Sequence, residues 1–280
     1  MRNLSVRRAL IGMDNSYMTM PSSIDMPSAP QRSGDPLDRL VMRLSAFERL
    51  DPEEAAGLRR IVRRGALLPA YDDVLKDSGR DVTVLLSGLA CQFKLMGNGR
   101  RQITGLIVPG DICNYGFLTG NAAPGQFMTL SPSQIGRIAV ASFTRLCESN
   151  PRIMRAALRG AATDSAITQE RVMSLGQRTA VERVSHLLCE MRGRLDVVGL
   201  VGPGNTYDFH ITQAELGETL GLSTVHVNRT LQLLRREGHI TMRQGKVSID
   251  NLPGLMAVAG FDPSYLQPPA VVPTPRAVVE

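Results

Sequence analysis

The segment from Thr212 to Ile240, TQAELGETLGLSTVHVNRTLQLLRREGHI, constrains the fold more than any other part of the chain. Its pattern predicts a short helix, a tight turn at Gly221 and a longer helix that Ser223 caps. The aliphatic residues of both helices are spaced so that they can meet in one small core: Leu216, Leu220, Leu222, Val227, Leu231 and Leu234. The segment therefore predicts a helix-turn-helix whose second helix is free on its other side.

That free side of the second helix combines planar polar groups with cations. On a helical projection of about 100° per residue, the side chains opposite Val227 form what we call the recognition face: Val225, Asn228, Arg229, Gln232 and Arg236. Amide and guanidinium groups make paired hydrogen bonds to base edges in the major groove of DNA, and an apolar tip suits a thymine methyl. The residues expected to contact DNA from this helix are Ser223, Thr224, Val225, His226, Asn228, Arg229, Gln232 and Arg236.

The next segment, HITMRQGKVSID, predicts a β-hairpin that turns at Gln244 and Gly245. Arg243 and Lys246 lie at the tip of this wing, where they are expected to contact DNA phosphates and add affinity that does not depend on base sequence. The chain from residue 224 to residue 246 contains five basic residues and one acidic residue, a net charge of +4. Positive charge is therefore concentrated where a duplex would lie.

Between Ala70 and Ala141 the apolar residues recur at every second position, which predicts strands. The alternating residues are Val82, Val84 and Leu86, followed by Leu89, Cys91, Phe93 and Leu95. GNG at 97–99 and VPGD at 108–111 supply turns, so a small antiparallel β-roll is expected. Two short helices precede it, the second capped by Asp51 and opened by Pro52.

A long helix is predicted after ESNP, with Asn150 as its cap, Pro151 at its first position and its end near Leu175. Residues at heptad spacing along it form what we call the heptad stripe: Met154, Leu158, Ala161, Ser165, Thr168, Val172 and Leu175. Two copies of the chain could pair along this stripe, or it could pack on its own roll. After a break near Gly176, residues from Val181 to Leu195 predict a second amphipathic helix. A strand with Tyr207, Phe209 and Ile211 is expected to follow.

These elements predict an α+β fold with an N-terminal antiparallel β-roll, a long dimerisation helix and a C-terminal winged helix-turn-helix. The expected divisions are a flexible extension at 1–36, a sensory β-roll at 37–149, the dimerisation helix at 150–176, the winged helix-turn-helix at 177–266 and a disordered tail at 267–280.

Composition excludes several classes of protein. The four cysteines, Cys91, Cys113, Cys147 and Cys189, lie far apart without a CxxC pair, so no metal site is expected and a reducing compartment fits best. No apolar run approaches the ~20 residues of a membrane span, so we expect a cytoplasmic protein. The chain shows no Ser/His/Asp set, paired carboxylates or phosphate-binding loop, so we do not expect an enzyme. The net charge of +6 favours an anionic partner.

From Leu37 to Leu266 the order of elements resembles the cyclic-AMP receptor and fumarate-nitrate regulator (Crp/Fnr) family of bacterial transcription factors. The most specific parts are SLGQRTAVERVSHLLCEMRGRL and ITQAELGETLGLSTVHVNRTLQLLRREGHI. The resemblance implies a homodimer that binds pseudo-palindromic double-stranded DNA, with half-sites ~34 Å apart, and RNA polymerase as a further partner. Arg229 falls where the family places an arginine that reads guanine, and Ser223 where a hydroxyl meets phosphate.

Departures from the family pattern concern both halves of the chain. Val225 replaces a glutamate that reads cytosine, and Asn228 replaces a serine or glycine, so the operator is expected to differ. The family's cyclic-nucleotide site needs a cation for the phosphate, but no Lys or Arg lies between Arg101 and Arg137, and Asp111 is near the position of the ribose-binding glutamate. Cyclic nucleotide binding is therefore not expected.

No cofactor is expected from the remaining family chemistries. An iron–sulfur cluster needs closely spaced cysteines, and none precedes Cys91. All four histidines lie outside the roll, where a haem ligand would be needed, and His186 and Cys189 are interpreted as helix packing. Cys91 and Cys113 are interpreted as buried structural thiols, with oxidant sensing as the alternative. The effector stays unidentified, and the alternative function is a protein-interaction module with a degenerate helix-turn-helix.

Overall fold

The computed structural model describes residues 34–75, 81–118 and 125–266. The predicted tail at 267–280 lies outside the described residues, and so does the predicted extension up to residue 33. The described chain begins with two helices, α1 (Asp38–Phe47) and α2 (Pro52–Ile61). The predicted cap of α2 is confirmed, because the Asp51 side chain accepts hydrogen bonds from the backbone nitrogens of Glu53 and Glu54 at 3.0 and 2.9 Å.

Two antiparallel three-stranded sheets form the predicted β-roll within the described residues. Its strands are β1 (Arg63–Leu68), β2 (Asp81–Ser87), β3 (Ala90–Leu95), β4 (Arg101–Ile107), β5 (Gln126–Thr129) and β6 (Ser133–Ala139). One sheet has the order β1-β6-β2 and the other β4-β3-β5. A cluster of buried side chains from both sheets and from the segments that connect their strands fills the interior of the roll: Val74, Leu85, Ala90, Ile107, Cys113, Phe127 and Ile135.

The strand β2 is buried on both of its faces, which corrects the simple alternation predicted for it. Val82 and Val84 belong to a cluster with the flanking helices, whereas Leu85 belongs to the roll interior. Thr83 is also fully buried, and its hydroxyl oxygen accepts a hydrogen bond of 2.7 Å from Arg137. A strand covered on both sides needs apolar or hydrogen-bonded residues at every position. In β3 the predicted alternation ends early, because Leu95 is 39% exposed.

The helices α3 (Val140–Ser149) and α4 (Pro151–Gln177) follow the roll. Pro151 begins α4 as predicted, but Asn150 does not cap it. Its side-chain nitrogen instead donates to the carbonyl oxygen of Leu146, at the end of α3, over 2.9 Å. The break predicted near Gly176 is confirmed, since α4 ends at Gln177. Thr179 then caps the next helix, α5 (Ala180–Asp196), in a capping box with Glu182.

The heptad stripe lies on the outer side of α4. Leu158 and Val172 are 51% and 65% exposed. Ser165 and Thr168 are exposed, and the other stripe residues are half-buried: Met154, Ala161 and Leu175. The opposite face of α4 is the one that packs inside the subunit: Ile153, Ala156, Ala157, Gly160, Thr163, Ile167, Arg171 and Ser174.

The C-terminal part forms the predicted winged helix-turn-helix. Its elements are β7 (Thr206–Asp208), α6 (Gln213–Leu220), α7 (Thr224–Arg236), β8 (Ile240–Arg243), β9 (Lys246–Ile249) and α8 (Leu252–Ala259). The three strands pair in the order β7-β9-β8. The strand predicted to reach Ile211 ends at Asp208, which pairs with Lys246 at the start of β9. Beyond this pair the partner segment turns at Gln244 and Gly245, and the Phe209 nitrogen makes one more contact with it, donating to the Gly245 carbonyl oxygen over 2.6 Å. None of the helices in the described ranges is both long enough and apolar enough to cross a membrane.

Candidate DNA-binding surface

The turn between α6 and α7 requires two glycines. Gly221 ends α6 in the left-handed conformation, with φ 64° and ψ 36°, which a residue with a Cβ rarely adopts. At Gly217 an added Cβ would lie 2.4 Å from the carbonyl oxygen of Leu222. The turn therefore lies directly against the backbone of α6. The Ser223 hydroxyl oxygen then caps α7 by accepting from the His226 nitrogen over 3.3 Å, as the sequence predicts.

One side of α7 is buried against the rest of the winged domain. Val227 and Leu234 are fully buried and Leu231 is 2% exposed, which confirms the predicted inner face. Thr230 is also buried on this side, although its polar side chain did not predict this position. These residues fix the rotation of α7 about its own axis, so they determine which side chains point outward.

The recognition face lies on the outer side of α7. Val225 is 59% exposed. Other residues expected to contact DNA are exposed as well: Ser223, Thr224, His226, Arg229, Gln232 and Arg236. Within the part of the chain that the structure describes, no carboxylate forms an ion pair with Arg229 or Arg236. Their guanidinium groups can therefore form bidentate hydrogen bonds with base edges or phosphates.

Asn228 differs from the rest of this face because it is half-buried and hydrogen-bonded. Its side-chain nitrogen donates to Oε1 of Gln213, in the first turn of α6, over 3.2 Å. Gln213 is exposed and was not among the predicted site residues. Nothing in the local sequence pattern connects the two positions, since only the crossing of α6 and α7 brings them together.

The wing has the predicted two-residue turn. Gln244 and Gly245 both have positive φ, 50° and 75°, the combination of a type I′ turn. A Cβ at Gly245 would lie 2.2 Å from the ring of His210, so glycine is needed there. Arg243 is exposed at the end of β8. Lys246 is also exposed, and its Nζ lies 3.7 Å from a carboxylate oxygen of Asp208. A surface pair of this length is weak, so the ammonium group stays available to a phosphate.

Asp111 of the β-roll is engaged by protein groups. One of its carboxylate oxygens lies 3.1 Å from Nε of Arg43, and the other lies 2.6 Å from Nη2 of Arg194. The second oxygen also accepts from the backbone nitrogen of Val108 over 2.8 Å. Arg137 donates to Thr83 and to the carbonyl oxygen of Val74. A cavity of about 260 Å³ lies beside Asp111, between the roll, α4 and the end of α5.

The four cysteines are reduced and buried. Burial raises the pKa of Cys91 and Cys189 to about 12 and that of Cys147 to about 11. Burial also raises the pKa of Cys113. Thiols with such pKa values stay protonated near neutral pH and react slowly. In the described ranges no group of three or more His, Cys, Asp or Glu residues could hold a metal ion.

Two known domain families match this chain. Residues 75–150 match the cyclic nucleotide-binding domain, and residues 182–258 match the Crp-like helix-turn-helix domain. The first match covers strands of the β-roll together with α3. The second covers most of α5 and the whole helix-turn-helix with its wing.

Curated relatives and solved structures agree with these matches. The chain is 31% identical over 193 residues to the transcriptional activatory protein AadR of Rhodopseudomonas palustris, covering 67% of this chain and 76% of AadR. It is 29% identical over 205 residues to the nitrogen fixation regulation protein FixK of Bradyrhizobium diazoefficiens, covering 70% and 83% of the two chains. The structure of FixK2 from Bradyrhizobium japonicum has the same fold, with a TM-score of 0.60, 21% identity and coverage of 71% and 97%. The chain therefore belongs to the Crp/Fnr family of bacterial transcription regulators.

Proposed function

We propose that the protein regulates transcription by binding a pseudo-palindromic DNA site as a homodimer, with one α7 helix in the major groove of each half-site. The observation that carries this proposal is the division of α7 into two faces. Val227, Leu231 and Leu234 anchor the helix, while Arg229 and Arg236 stand exposed without a carboxylate partner among the described residues. A rigid helix with free guanidinium groups is what reading of base edges requires.

The wing supports the same orientation of DNA. Arg243 and Lys246 lie at the tip of the β8–β9 hairpin, and both are exposed. Contacts from these cations to phosphates would hold the duplex in register while α7 reads the bases. Cations on both elements match a partner with negative charges at regular spacing, which the phosphate backbone of a duplex supplies. This placement favours DNA over the alternative role as a protein-interaction module.

The homodimer is proposed from the heptad stripe. Leu158 and Val172 are large apolar side chains more than half exposed on α4. Pairing of two α4 helices along this stripe would bury them and relate the two α7 helices by a two-fold axis. The symmetry of the operator would then follow from the symmetry of the protein.

We also propose that cyclic nucleotides do not regulate this protein. Asp111 is bonded to Arg43 and Arg194, so binding a ribose there would leave two buried guanidinium groups without their carboxylate. Arg137 is held by Thr83 and Val74. Titration calorimetry with cyclic AMP and cyclic GMP is expected to give no heat of binding, and micromolar affinity for either nucleotide would contradict this part of the proposal.

Selection from random duplex DNA by the purified full-length protein tests the proposed function. We expect enrichment of a two-fold symmetric site, with an affinity that falls steeply as salt rises. Enrichment of no sequence, together with salt-insensitive capture of a protein partner, would instead support the interaction module. In vitro transcription from the selected site tests the proposed contact with RNA polymerase. The proposed role is cytoplasmic and does not involve catalysis.

A further inference from the structure

A charged contact joins the β-roll to the winged helix-turn-helix. Arg101, the first residue of β4, donates from Nε to Oε2 of Glu218 in α6 over 2.7 Å, and its Nη2 lies 2.6 Å from the same oxygen. The neighbouring Gln102 donates from its side chain to the backbone carbonyl oxygen of Glu218. Three side-chain nitrogen atoms of β4 therefore contact one residue of the winged helix-turn-helix, Glu218.

The roll holds Arg101 in place from its own side. The guanidinium carbon lies 5.6 Å from the ring centroid of Phe93, and Nη1 lies 3.7 Å from the sulfur of Met128. The Arg101 side chain is only 11% exposed, and that of Glu218 is 28% exposed. An ion pair made by two nitrogens and largely shielded from water restrains its partners more than a solvated surface pair does.

Apolar packing continues across the same boundary. One buried cluster contains roll residues from β3, β4 and β5 together with residues of α6 and α7. Its roll members include Cys91, Phe93, Ile103 and Met128, and its helix-turn-helix members include Leu216, Leu220, Val227 and Leu231. The ion pair therefore lies beside a continuous apolar contact, so the two parts are packed together and not merely tethered.

A second restraint reaches α6 from the joint between α4 and α5. Arg183 donates to the carbonyl oxygens of Leu175 and Arg178, both over 2.8 Å, and to the carbonyl oxygen of Leu220 over 3.1 Å. The end of α6 is thus tied to the end of α4, which bears the heptad stripe. Because α6 packs on α7, two arginines help to position the recognition face, in addition to the apolar cluster: Arg183 at the joint and Arg101 at the roll.

We propose that Arg101 is a positioning residue for DNA recognition, which acts through Glu218 to set the spacing between half-sites that the homodimer accepts. This proposal rests on the proposed function. With the Arg101 contact in place, α6 and α7 are held at two points and the separation of the two recognition faces is fixed. Without it, only the apolar cluster and the Gln102 hydrogen bond hold α6 against the roll. The helix-turn-helix can then shift about the α4–α5 joint, and a wider range of separations becomes accessible.

A spacer series tests this role in the full-length protein. The selected operator is synthesised with its two half-sites moved apart or together by one and two base pairs, and affinities are measured by fluorescence anisotropy. Arg101→Gln and Glu218→Gln are expected to reduce the preference for the best spacing over its neighbours by about fivefold, as for coupled charge pairs. Binding to a single half-site should stay unchanged, because neither residue belongs to the recognition face.

Two further variants make the result specific. Arg100→Gln removes the same charge from the adjacent exposed position and should leave the spacing preference intact. The double variant Arg101→Glu with Glu218→Arg reverses the pair and should restore most of the preference. Melting temperatures of all variants separate lost positioning from lost folding. If the single variants keep the wild-type spacing preference, or if Arg100→Gln changes it equally, the proposal is overturned.

A distance measurement without DNA distinguishes this proposal from the proposed function. Spin labels at Lys94→Cys on β3 and Arg235→Cys on α7 report the distance between the roll and the recognition helix. Excess unlabelled protein is added so that few dimers carry labels on both subunits, and the measured distances then come from within one subunit. The four native thiols are buried and should not take the label. We expect one narrow distance in the parent protein and a broad distribution after Glu218→Gln. Equal widths would overturn the positioning role whatever DNA site is found. Absence of a two-fold DNA site would overturn the proposed function and the role in half-site spacing that rests on it, leaving only the restraint of α7 by the roll.

Discussion

Asn228 in α7 and Gln213 in α6 are joined by a hydrogen bond of 3.2 Å from the side-chain nitrogen of Asn228 to Oε1 of Gln213. This bond uses one of the two N–H groups of Asn228 and orients its amide. The other N–H group and the amide oxygen are left for a base, and together they match the N6 and N7 atoms of adenine. In the proposed complex with DNA, Gln213 would thereby determine the orientation in which the Asn228 amide meets a base.

We predict that Gln213→Ala weakens the base preference at one position of each half-site by about 1 kcal/mol, the value of a typical hydrogen bond. Gln213→Glu keeps an acceptor for Asn228 and should retain more of that preference. Affinities for operators substituted at every position, measured with both variants, check this. If Gln213→Ala weakens all sequences equally, Gln213 contacts the DNA backbone and does not orient Asn228.

The wing should contribute affinity without base preference. We predict that Lys246→Ala weakens binding to all duplexes to a similar extent and lowers the slope of log K against log salt by roughly one, because one phosphate contact is lost. Affinities from low to moderate salt for the selected site and for a scrambled duplex provide the measurement. A loss confined to the selected site would assign Lys246 to base reading.

Substitution on the heptad stripe should separate assembly from folding. Leu158→Glu and Val172→Glu place charges at positions where the native side chains are 51% and 65% exposed. We therefore predict folded monomers whose melting temperature falls only by the stabilisation that dimerisation supplied and does not depend on protein concentration. Ile153→Ala, on the buried face of α4, should instead cost about 2 to 5 kcal/mol of stability without changing assembly. Sedimentation velocity and thermal unfolding test both. Dimers that persist in the two Glu variants would place the interface elsewhere.

The cysteines should be unreactive in the folded protein. Because burial raises the pKa of Cys91 to about 12 from an ordinary value of 9.0, its thiol is protonated at pH 8. We predict that a disulfide reagent labels none of the four thiols quickly at that pH, and all four after denaturation. Stability should also fall as pH rises above about 9, since thiols in the unfolded chain ionise first. Rapid labelling of native Cys91 or Cys113 would revive the oxidant-sensing alternative.

Local sequence patterns predicted the parts of the site that depend on neighbours along the chain. The 3.6-residue period of a helix predicted that Val227 and Arg229 lie on opposite faces of α7. The pair Gln244-Gly245 predicted the turn of the wing. Both predictions depend only on local backbone geometry. The capping of α7 by Ser223 follows from the same kind of local rule. The exposure of Leu158 likewise agrees with the heptad spacing, and pairing of this stripe with a second copy of the chain stays a prediction.

Contacts between distant segments could not be predicted in this way. Arg101 and Glu218 are 117 positions apart, so no local period relates them. Asn150 precedes Pro151 in a sequence typical of a helix N-cap. Its side-chain nitrogen instead donates a hydrogen bond to the carbonyl oxygen of Leu146, at the end of α3. A threonine between two valines in a strand is typical of an exposed polar position. Thr83 is buried, because its hydroxyl oxygen accepts a hydrogen bond from Arg137 and helices cover the other face of β2. Tertiary packing decided each of these positions.

Arg229 provides the most direct test of the claim that the outer face of α7 reads base pairs. The measurement is a double-mutant cycle across the interface. Binding free energies are measured for the parent protein and for Arg229→Ala, each with the selected operator and with an operator in which the guanine assigned to Arg229 is replaced. Arg235→Ala removes an equal charge from a flank of the same helix and serves as the control. We predict that Arg229→Ala costs about 1 to 3 kcal/mol on the selected operator and almost nothing on the replaced one. Equal losses on both operators, or equal losses for Arg229→Ala and Arg235→Ala, would contradict the assignment of α7 as the reader of DNA sequence.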